Sequence, residues 1–388
     1  STQAKTLFPY TTLFRSDQPR VCDEIVDLLV QASAPIYQRG GMLVRVVEDG
    51  SQSSGVTRDA SAPRIVPFDD LALCDFITRR VAIHKRNRKT QQLPRVDCPR
   101  VIAQAILSRK EWPFPRLEAV VEHPVMLPGG EVLWESQYHD QTGLLLQLPY
   151  AAFMSPTLAP TLPEAHAALE QYIDLLSEFA FVDDVDLSVA LAFFLTAFVR
   201  PMLPTCPIFA ADAHAAGSGK STLIRTQARV ATGREPAFLT YRDDPTELQK
   251  VLLSALMEGD QAIAIDNITV TVQGADLSVI STSPIYRGRV LGQSATVSVP
   301  TKAVISLNGN NLQIVGDLTR RVLVCRLDPS CERPAEREFN ADPIRNATEL
   351  RGGYVDAALT IMAGLHRQWR AREGSPVRQF RGMVPPGA

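Results

Sequence analysis

The sequence has little of what marks several protein classes. Six cysteines are scattered through 388 residues, with no Cys-x-x-Cys pair and no histidines at zinc-ligand spacing. This usage is typical of reduced thiols in a cytoplasmic protein and gives no support to a disulfide framework or a structural zinc site. No histidine lies in a His-Glu-x-x-His motif or a triad-like setting, so none is a candidate catalytic or metal-binding residue.

Long apolar runs and an excess of one charge are also missing. The most apolar stretch, Leu187–Leu203, contains polar residues and is too short to span a bilayer comfortably. We therefore expect a buried helix in a soluble protein with no membrane partner. Its phenylalanines are expected in the core: Phe193, Phe194 and Phe198. Forty basic residues against 42 acidic ones leave a net charge of −2, so affinity for nucleic acid has to come from local patches.

Both ends of the chain differ from the rest of it. Thr6–Ser16 reads TLFPYTTLFRS, the direct translation of a nucleotide run that resembles a common short-read sequencing adapter, so we exclude residues 1–16 from fold prediction. The tail VRQFRGMVPPGA is unusual because a back-translation read one base later encodes FGSFEGWSRLVR, which is more protein-like. We interpret residues 377–388 as a frameshifted tail and the chain as a metagenomic fragment.

Between these ends the local patterns divide the chain into four parts. Residues 17–150 mix short apolar stretches with turns rich in glycine and proline, which predicts a small α+β region. A proline-containing linker and two helices are predicted over 151–205. Over 206–330, short apolar strands alternate with helices, which is typical of a parallel sheet between helices, and 331–376 is predicted to be helical. The predicted fold class is α/β.

The segment HAAGSGKST (His214–Thr222) is the strongest functional signal. It lies between the apolar strand PIFAADA and a predicted helix, as phosphate binding requires, although His214 stands where G-x-x-x-x-G-K-[ST] has glycine. Lys220 can reach the β- and γ-phosphates of ATP, and Ser221 can ligate Mg²⁺. We favour this P-loop NTPase interpretation over a Gly-Ser-Gly loop with an incidental lysine. The predicted nucleotide-binding residues are Ala216, Gly217, Ser218, Gly219, Lys220, Ser221 and Thr222.

A second motif supplies an acidic partner for the loop. QAIAIDNI is an apolar strand ending in Asp266, which predicts that this carboxylate completes the magnesium site. The next residue is Asn267, where many ATP-hydrolysing motors have a glutamate that orients the attacking water. Asn267 can orient water only as a dipole, so a base has to come from elsewhere. Glu247 is one candidate, although a solvated position on its helix is the better-supported role.

Two further motifs complete a recognisable order. TKAVISLNGNN is a strand that ends in Asn308, with Asn310 just beyond it, and GDLTRRVLVCRLD carries Arg320 and Arg321. The series HAAGSGKST, IAIDN, ISLNGNNL, GDLTRRVLVCRLDP and ERPAEREF resembles the ATPase module of primase–helicase replication proteins carried by phages, plasmids and integrative elements. That module belongs to the AAA+ class and is akin to superfamily 3 helicases. The likeness covers roughly residues 60–375.

The resemblance implies roles for these residues and partners for the chain. Asn308 or Asn310 would sense the γ-phosphate, and Arg320 or Arg321 would reach the nucleotide of the neighbouring subunit in a homo-hexameric ring. Alternation before the following strand should leave only one arginine facing the partner. The alternative to a role at the neighbouring nucleotide is that Arg320 and Arg321 are paired surface charges beside a strand. The implied activity is ATP-driven translocation on single-stranded DNA during replication of a mobile element, alongside other replication proteins.

Two stretches are candidates for contact with DNA. Residues 79–89 (RRVAIHKRNRK) include six basic residues, enough for several phosphate contacts, although such a run is as often a solvated face. YRGRVLGQSATVSVP lies where related helicases insert a pore hairpin. From it, Arg287 and Arg289 could touch the DNA backbone or could pair with acidic neighbours.

These motifs predict an ATPase and DNA helicase whose cofactors are ATP and Mg²⁺. One alternative is an ATP-binding replication initiator or switch, which would assemble on DNA without moving along it if Asn267 abolishes turnover. A third is a monomeric P-loop kinase or transferase, whose activity would need neither Arg320 nor Arg321.

Overall fold

The computed structural model describes residues 10–13, 17–48, 56–57, 62–87, 89–149, 153, 157–241, 244–289, 296–329 and 341–373. Within these residues the α-helices are α1 (Gln18–Gln31), α2 (Asp70–Arg80), α3 (Arg100–Ser108), α4 (Leu162–Leu176), α5 (Asp184–Val199), α6 (Lys220–Thr232), α7 (Pro245–Glu258), α8 (Ala275–Thr282), α9 (Pro343–Glu349) and α10 (Arg351–Glu373). One 3-10 helix, η1, spans Gly316–Arg320.

The strands of the described residues are mostly short. They are β1 (Tyr10–Leu13), β2 (Tyr37–Arg39), β3 (Met42–Glu48), β4 (Val56–Thr57), β5 (Pro63–Pro67), β6 (Ala82–Lys85), β7 (Arg95–Val96), β8 (Ala119–Val121), β9 (Val125–Met126), β10 (Val132–Leu133), β11 (Tyr138–His139), β12 (Leu144–Leu146), β13 (Ile208–Ala213), β14 (Ala237–Thr240), β15 (Ala262–Ile268), β16 (Ile285–Arg289), β17 (Thr296–Pro300), β18 (Val304–Asn310) and β19 (Val322–Arg326).

The largest sheet has six strands in the order β19-β13-β18-β15-β14-β4. The first five are parallel, and β4 pairs antiparallel with β14 at one edge. Alternate residues of β13 enter two different cores, because successive side chains of a strand point to opposite faces. Phe209 and Ala211 pack with α5, α6 and α10, whereas Ile208 and Ala210 pack with α7 and α8. The predicted α/β class, a parallel sheet between helices, is confirmed.

The region before this sheet is a mixture of helices and short strands. Helices α1, α2 and α3 share a core with β6 that includes Ile25, Phe76 and Ile102. This region also reaches the central sheet, because β4 extends it. The guanidinium of Arg39 donates to the carbonyl of Leu256 in α7 at 2.9 Å. The division at residue 150 stays a prediction.

The suspect ends fall largely outside the described residues. Of residues 1–16, the structure describes only β1, which pairs in parallel with β6. Residues 377–388 lie wholly outside the described part of the chain, as does the motif ERPAEREF. The interpretation of both ends as artefacts therefore stays a prediction.

Helix α5 occupies most of the apolar stretch that we predicted to be a buried helix. Its N-terminus is capped by Asp183, whose carboxylate accepts hydrogen bonds from two backbone amides of the first turn. Phe193, Phe194 and Phe198 are all buried in the core, as predicted. No helix within the described residues combines the length and the apolar character needed to cross a bilayer.

Replacing Phe194 by alanine tests this core. The ring is fully buried, so Phe194→Ala should lower the free energy of unfolding by about 3–5 kcal/mol through lost burial and a residual cavity. Denaturant unfolding followed by circular dichroism measures the change. Leu365→Ala is the control, because this side chain is largely exposed and its loss should cost less than about 0.5 kcal/mol. Equal losses in both variants would contradict the assigned core.

Candidate nucleotide-binding site

The loop between β13 and α6 takes the conformation that its glycines permit. Gly217 has a φ of 79° and Gly219, the N-cap of α6, a φ of 94°, both in the region that glycine adopts without steric cost. His214 is not among the described residues with positive φ, so the position that lacks the motif glycine does not need one. Its ring lies 3.5 Å from the carboxylate of Asp328. The presence of His214 in place of the motif glycine is therefore compatible with the backbone conformation of the loop.

Two side chains of the loop contact the same carbonyl. Ser218 Oγ donates to the carbonyl oxygen of Ala215 at 2.7 Å, and Lys220 Nζ donates to it at 3.0 Å. Lys220 is buried, and this burial lowers the pKa of its ammonium, while the charges of Asp212 and Asp266 act in the opposite direction. A buried ammonium with one carbonyl partner has donor capacity left for an anion.

Three elements meet at the carboxyl edge of the sheet. Asn308 Nδ2 donates to Ser221 Oγ at 2.7 Å and to Asp266 Oδ1 at 2.5 Å. Ser221 belongs to the first turn of α6, Asp266 to β15 and Asn308 to β18. The structure thus brings the predicted magnesium ligands together around one amide group.

The pleat of the sheet explains why these side chains meet. Ala264 lies on the face of the sheet that packs against α6, so Asp266, two residues further along β15, is directed to the same face. A register shift in the pairing of β15 with β18 falls between Ile265 and Ile268. Asn267, inside this bulge, has a φ of 55°. Bulges redirect side chains near functional sites, and this one sets the end of β15 beside Asn308.

The oxygen donors fit the requirements of Mg²⁺. This ion prefers oxygen ligands and is commonly held by one or two protein groups together with phosphate oxygens and water. Ser221 Oγ and the Asp266 carboxylate supply such groups beside the loop. Among the described residues, no cluster of three or more histidine, cysteine or acidic side chains could hold a metal. The site thus fits a metal that arrives with a phosphate ligand.

The remaining polar candidates near the strand ends are less enclosed. Strand β18 continues to Asn310, two residues beyond the predicted end, and Asn310 is exposed whereas Asn308 is buried. Asn267 is also exposed, and its side chain points to no described partner. Glu247 forms an ion pair with Lys250 at 2.6 Å on α7, which is the solvated helix position that the sequence favoured.

The two adjacent arginines differ in exposure. The side chain of Arg320 is 75% exposed, whereas that of Arg321 is 20% exposed and donates to the carbonyl of Ser278 in α8 at 3.2 Å. Both form ion pairs with Asp317, whose pKa they lower. Arg320 is the last residue of η1 and Arg321 is its C-cap, so the end of a helical turn, and not the strand alternation that we predicted, separates the two side chains.

These arginines lie at the far end of the sheet from the loop. Val322, the first residue of β19, pairs with Ile208, the first residue of β13, whereas the loop follows the last residue of β13. Strands rise about 3.3 Å per residue, so the length of β13 separates the two positions. Within one chain, the loop and the arginines are not brought together.

Strands β16 and β17 form the hairpin expected between the Asp266 and Asn308 strands. Its inner face is anchored by Tyr286, whose hydroxyl donates to Asp276 of α8 at 2.6 Å. Arg287 and Arg289 are exposed on the outer face. Neither forms a hydrogen bond or an ion pair with another described residue, and the choice between DNA contact and acidic neighbours stays a prediction.

The basic run 79–89 is divided between two environments. Arg79 is paired with Asp75 at 2.8 Å, and the guanidinium of Arg80 lies 3.7 Å from the centre of the Phe76 ring. Lys85 and Lys89 are exposed near the turn between β6 and β7. The choice between DNA contact and a solvated face stays open for this run.

Sequence reasoning missed Asp212. Its carboxylate accepts a hydrogen bond from the backbone amide of Leu312 at 2.9 Å, which ties the segment after β18 to the strand that carries the loop. Its charge also acts on Lys220. An acidic residue within the apolar strand PIFAADA was the available signal.

No protein-family model and no curated protein matches the chain. A comparison with solved structures finds a similarity to the A form apo structure of the NrS-1 C terminal region. That chain is 10% identical, with 87% of this chain and 68% of that chain covered at a TM-score of 0.42. The SCCmec type IV Cch active helicase is 13% identical, with coverages of 88% and 66% at 0.34. The JCV helicase is 12% identical, with coverages of 57% and 63% at 0.31.

The effects of Asn308 and Asn310 on the free energy of unfolding should differ. Asn308→Ala should lower the free energy of unfolding of the nucleotide-free protein by about 1.5–3 kcal/mol, because a hydrogen bond to a carboxylate is lost. Asn310→Ala is the matched control and should cost less than about 0.5 kcal/mol, since Asn310 is exposed. Denaturant titration measures both values. Similar values for the two variants would show that the bridge does not order the site.

Proposed function

We propose that this chain is the ATPase module of a DNA helicase that works as a homo-hexameric ring in replication of a mobile genetic element. The observation that carries the proposal is the bridge from Asn308 to Ser221 and Asp266 beside the buried ammonium of Lys220. A cation, a hydroxyl, a carboxylate and a helix N-terminus together are what a nucleoside triphosphate with Mg²⁺ requires.

The residues of this chain have separate tasks in the proposed reaction. The backbone amides of the loop residues Ala216–Thr222 bind phosphate oxygens, and Lys220 turns from the Ala215 carbonyl toward the β- and γ-phosphates. Ser221 and Asp266 would hold Mg²⁺, and this ion would neutralise the negative charge that develops on the phosphate during the reaction. Asn308 keeps Ser221 and Asp266 in register, and its position makes it the better candidate for sensing the γ-phosphate than Asn310.

The exposed Arg320 is the better candidate for the arginine that acts on the neighbouring subunit. Its guanidinium projects from η1, and Asp317 is its ion-pair partner among the described residues, whereas Arg321 is held against α8. Since both lie at the opposite end of the sheet from their own loop, either arginine could act only on the loop of another copy. This geometry favours a ring over a monomeric kinase or transferase.

The hairpin is the proposed contact with single-stranded DNA. Arg287 and Arg289 share the exposed face of β16, and Tyr286 fixes the opposite face to α8. Two cations on one exposed ridge suit the phosphates of a nucleic-acid backbone. Other replication proteins would join the ring on the element that it replicates.

A second candidate function is an ATP-binding initiator that assembles on DNA without translocation. The observation that favours it is Asn267, which occupies the bulge with an amide side chain in place of a carboxylate. Glu247, the other candidate base, is already paired with Lys250. Such a protein would bind ATP and DNA with the same residues and would not turn over.

The primary test is ATP hydrolysis with and without single-stranded DNA. The purified chain should hydrolyse ATP in a Mg²⁺-dependent reaction that DNA stimulates, and Lys220→Ala should abolish it because the γ-phosphate loses its cation. Phosphate release measures the rate. Lys110→Ala, which removes an exposed ammonium just after α3, is the control. ATP binding without turnover in the unaltered chain would favour the initiator, and no ATP binding would overturn both proposals.

Mixing inactive variants tests action between subunits. Arg320→Ala should lower the ATPase rate by about 10³–10⁵-fold, the range found for arginine fingers. A mixture of Arg320→Ala with Lys220→Ala should regain part of the activity, because some pockets then combine an intact loop with an intact arginine. Arg345→Ala, an exposed arginine of α9, should keep the full rate. Absence of recovery, with subunit exchange confirmed by labelled protein, would exclude Arg320 from this role.

A further inference from the structure

The outer face of the β16–β17 hairpin runs into a groove at its base. The antiparallel register pairs Arg287 with Ser298 and Ile285 with Pro300, so these side chains share one face. Ile285, Ser298 and Pro300 also line a cavity of about 490 Å³. The ridge with the exposed arginines and the groove therefore form one continuous surface.

The opposite wall of the groove comes from the region before the sheet. It includes the turn between β2 and β3, at Gly40 and Gly41, and the segment around Arg116. A Cβ on Gly40 would lie 2.8 Å from the Ser298 carbonyl oxygen, so this close approach of the turn to β17 requires glycine. Around Gly41 a Cβ would have open space, so the groove is open at that point.

The groove carries two cations that can take an anion. Arg116 is exposed, and its side chain has no hydrogen bond or ion pair to a described residue. Lys302 is half-buried, and its ammonium has one hydrogen bond to a described residue, the Leu203 carbonyl at 3.3 Å. Arg39 also lines the groove, but its guanidinium already donates hydrogen bonds to the backbone carbonyls of Leu117 and Leu256. Glu118 is the acidic residue of the lining, so the balance is positive.

The environment of Lys302 destabilises its charged form, which a bound anion would stabilise. Burial lowers the pKa of the ammonium, and the nearby charge of Arg200 lowers it further, whereas Glu118 partly opposes both. A phosphate next to Lys302 would stabilise its charged form, and the attraction is reciprocal. The apolar side chains of Pro284, Ile285 and Pro300 add contact surface for sugars and bases without reading their sequence.

We propose that this groove binds the sugar-phosphate backbone of a single nucleic-acid strand next to Arg287 and Arg289, with Arg116 and Lys302 as its phosphate contacts. The inference rests on the proposed function and adds a binding surface outside the ATPase sheet. Continuity with the arginine ridge selects a strand over a free anion, because a polymer with regularly spaced phosphates engages both surfaces at once.

The salt dependence of binding tests the groove. Anisotropy of a labelled oligothymidylate is measured over a salt series for the full chain and for Arg116→Ala, Lys302→Met and the double variant. Each phosphate contact to a single strand contributes about 0.7 to the slope of log K against log salt, so each single variant should lower the slope by about that amount. The basal ATPase rate should not change.

Controls separate this inference from the proposed function. Arg345→Ala, at an exposed arginine of α9 that does not line the groove, should keep the original slope, and Arg287→Ala should lower it. If Arg287→Ala weakens binding while Arg116→Ala and Lys302→Met do not, the groove proposal is overturned and the helicase proposal stands. If the unaltered chain does not bind the oligonucleotide, both are overturned. Should Lys302→Met unfold, the exposed Arg116 alone decides the outcome.

Discussion

The amide group of Asn308 joins the hydroxyl of Ser221 to the carboxylate of Asp266, and the order of the whole site depends on this bridge. The three residues come from a helix and two strands. Asn308 lies 42 positions after Asp266 and 87 positions after Ser221 along the chain. Without the amide, the half-buried carboxylate would keep, within the described part of the chain, only the adjacent backbone amide of Asn267 as a donor. Because Asn308 is buried between Ser221 and Asp266, it fixes the spacing that a phosphate and its metal would meet.

The parallel sheet gives its two ends different chemistry. At the carboxyl ends of β13, β15 and β18 lie the loop, Asp266 and Asn308, while the exposed Arg320 precedes β19 at the other end. Parallel strands cannot be closed by tight turns, so the polar segments collect at these two edges. A pocket that needs both sets of residues therefore needs two copies of the chain. Asp317 pairs with both arginines, and α8 holds only Arg321, which leaves Arg320 available.

The region before the sheet packs against the central sheet and its helices. Strand β4 extends the sheet, Arg39 donates to a carbonyl near the C-terminal end of α7, and Gly40 lies against β17. The contact of Arg39 is favourable because carbonyls at a helix C-terminus carry partial negative charge. The hairpin thus contacts this region, and the groove lies between the two.

The local pattern of the chain determined the elements and the loop. Apolar strands alternating with helices required a parallel sheet, Gly217 and Gly219 permitted the loop, and the phenylalanines of α5 required a core. These features depend on neighbours within a few residues, so they are readable in order along the chain. Tertiary structure alone decided the rest. Asn308 pairs with Ala211 inside the sheet while Asn310 pairs with Ala213 at the end of β13, which buries one amide and exposes the other. The contrast between Arg320 and Arg321, the bridge of Asn308 and the approach of Gly40 to Ser298 each depend on partners distant in sequence, which only folding places within contact.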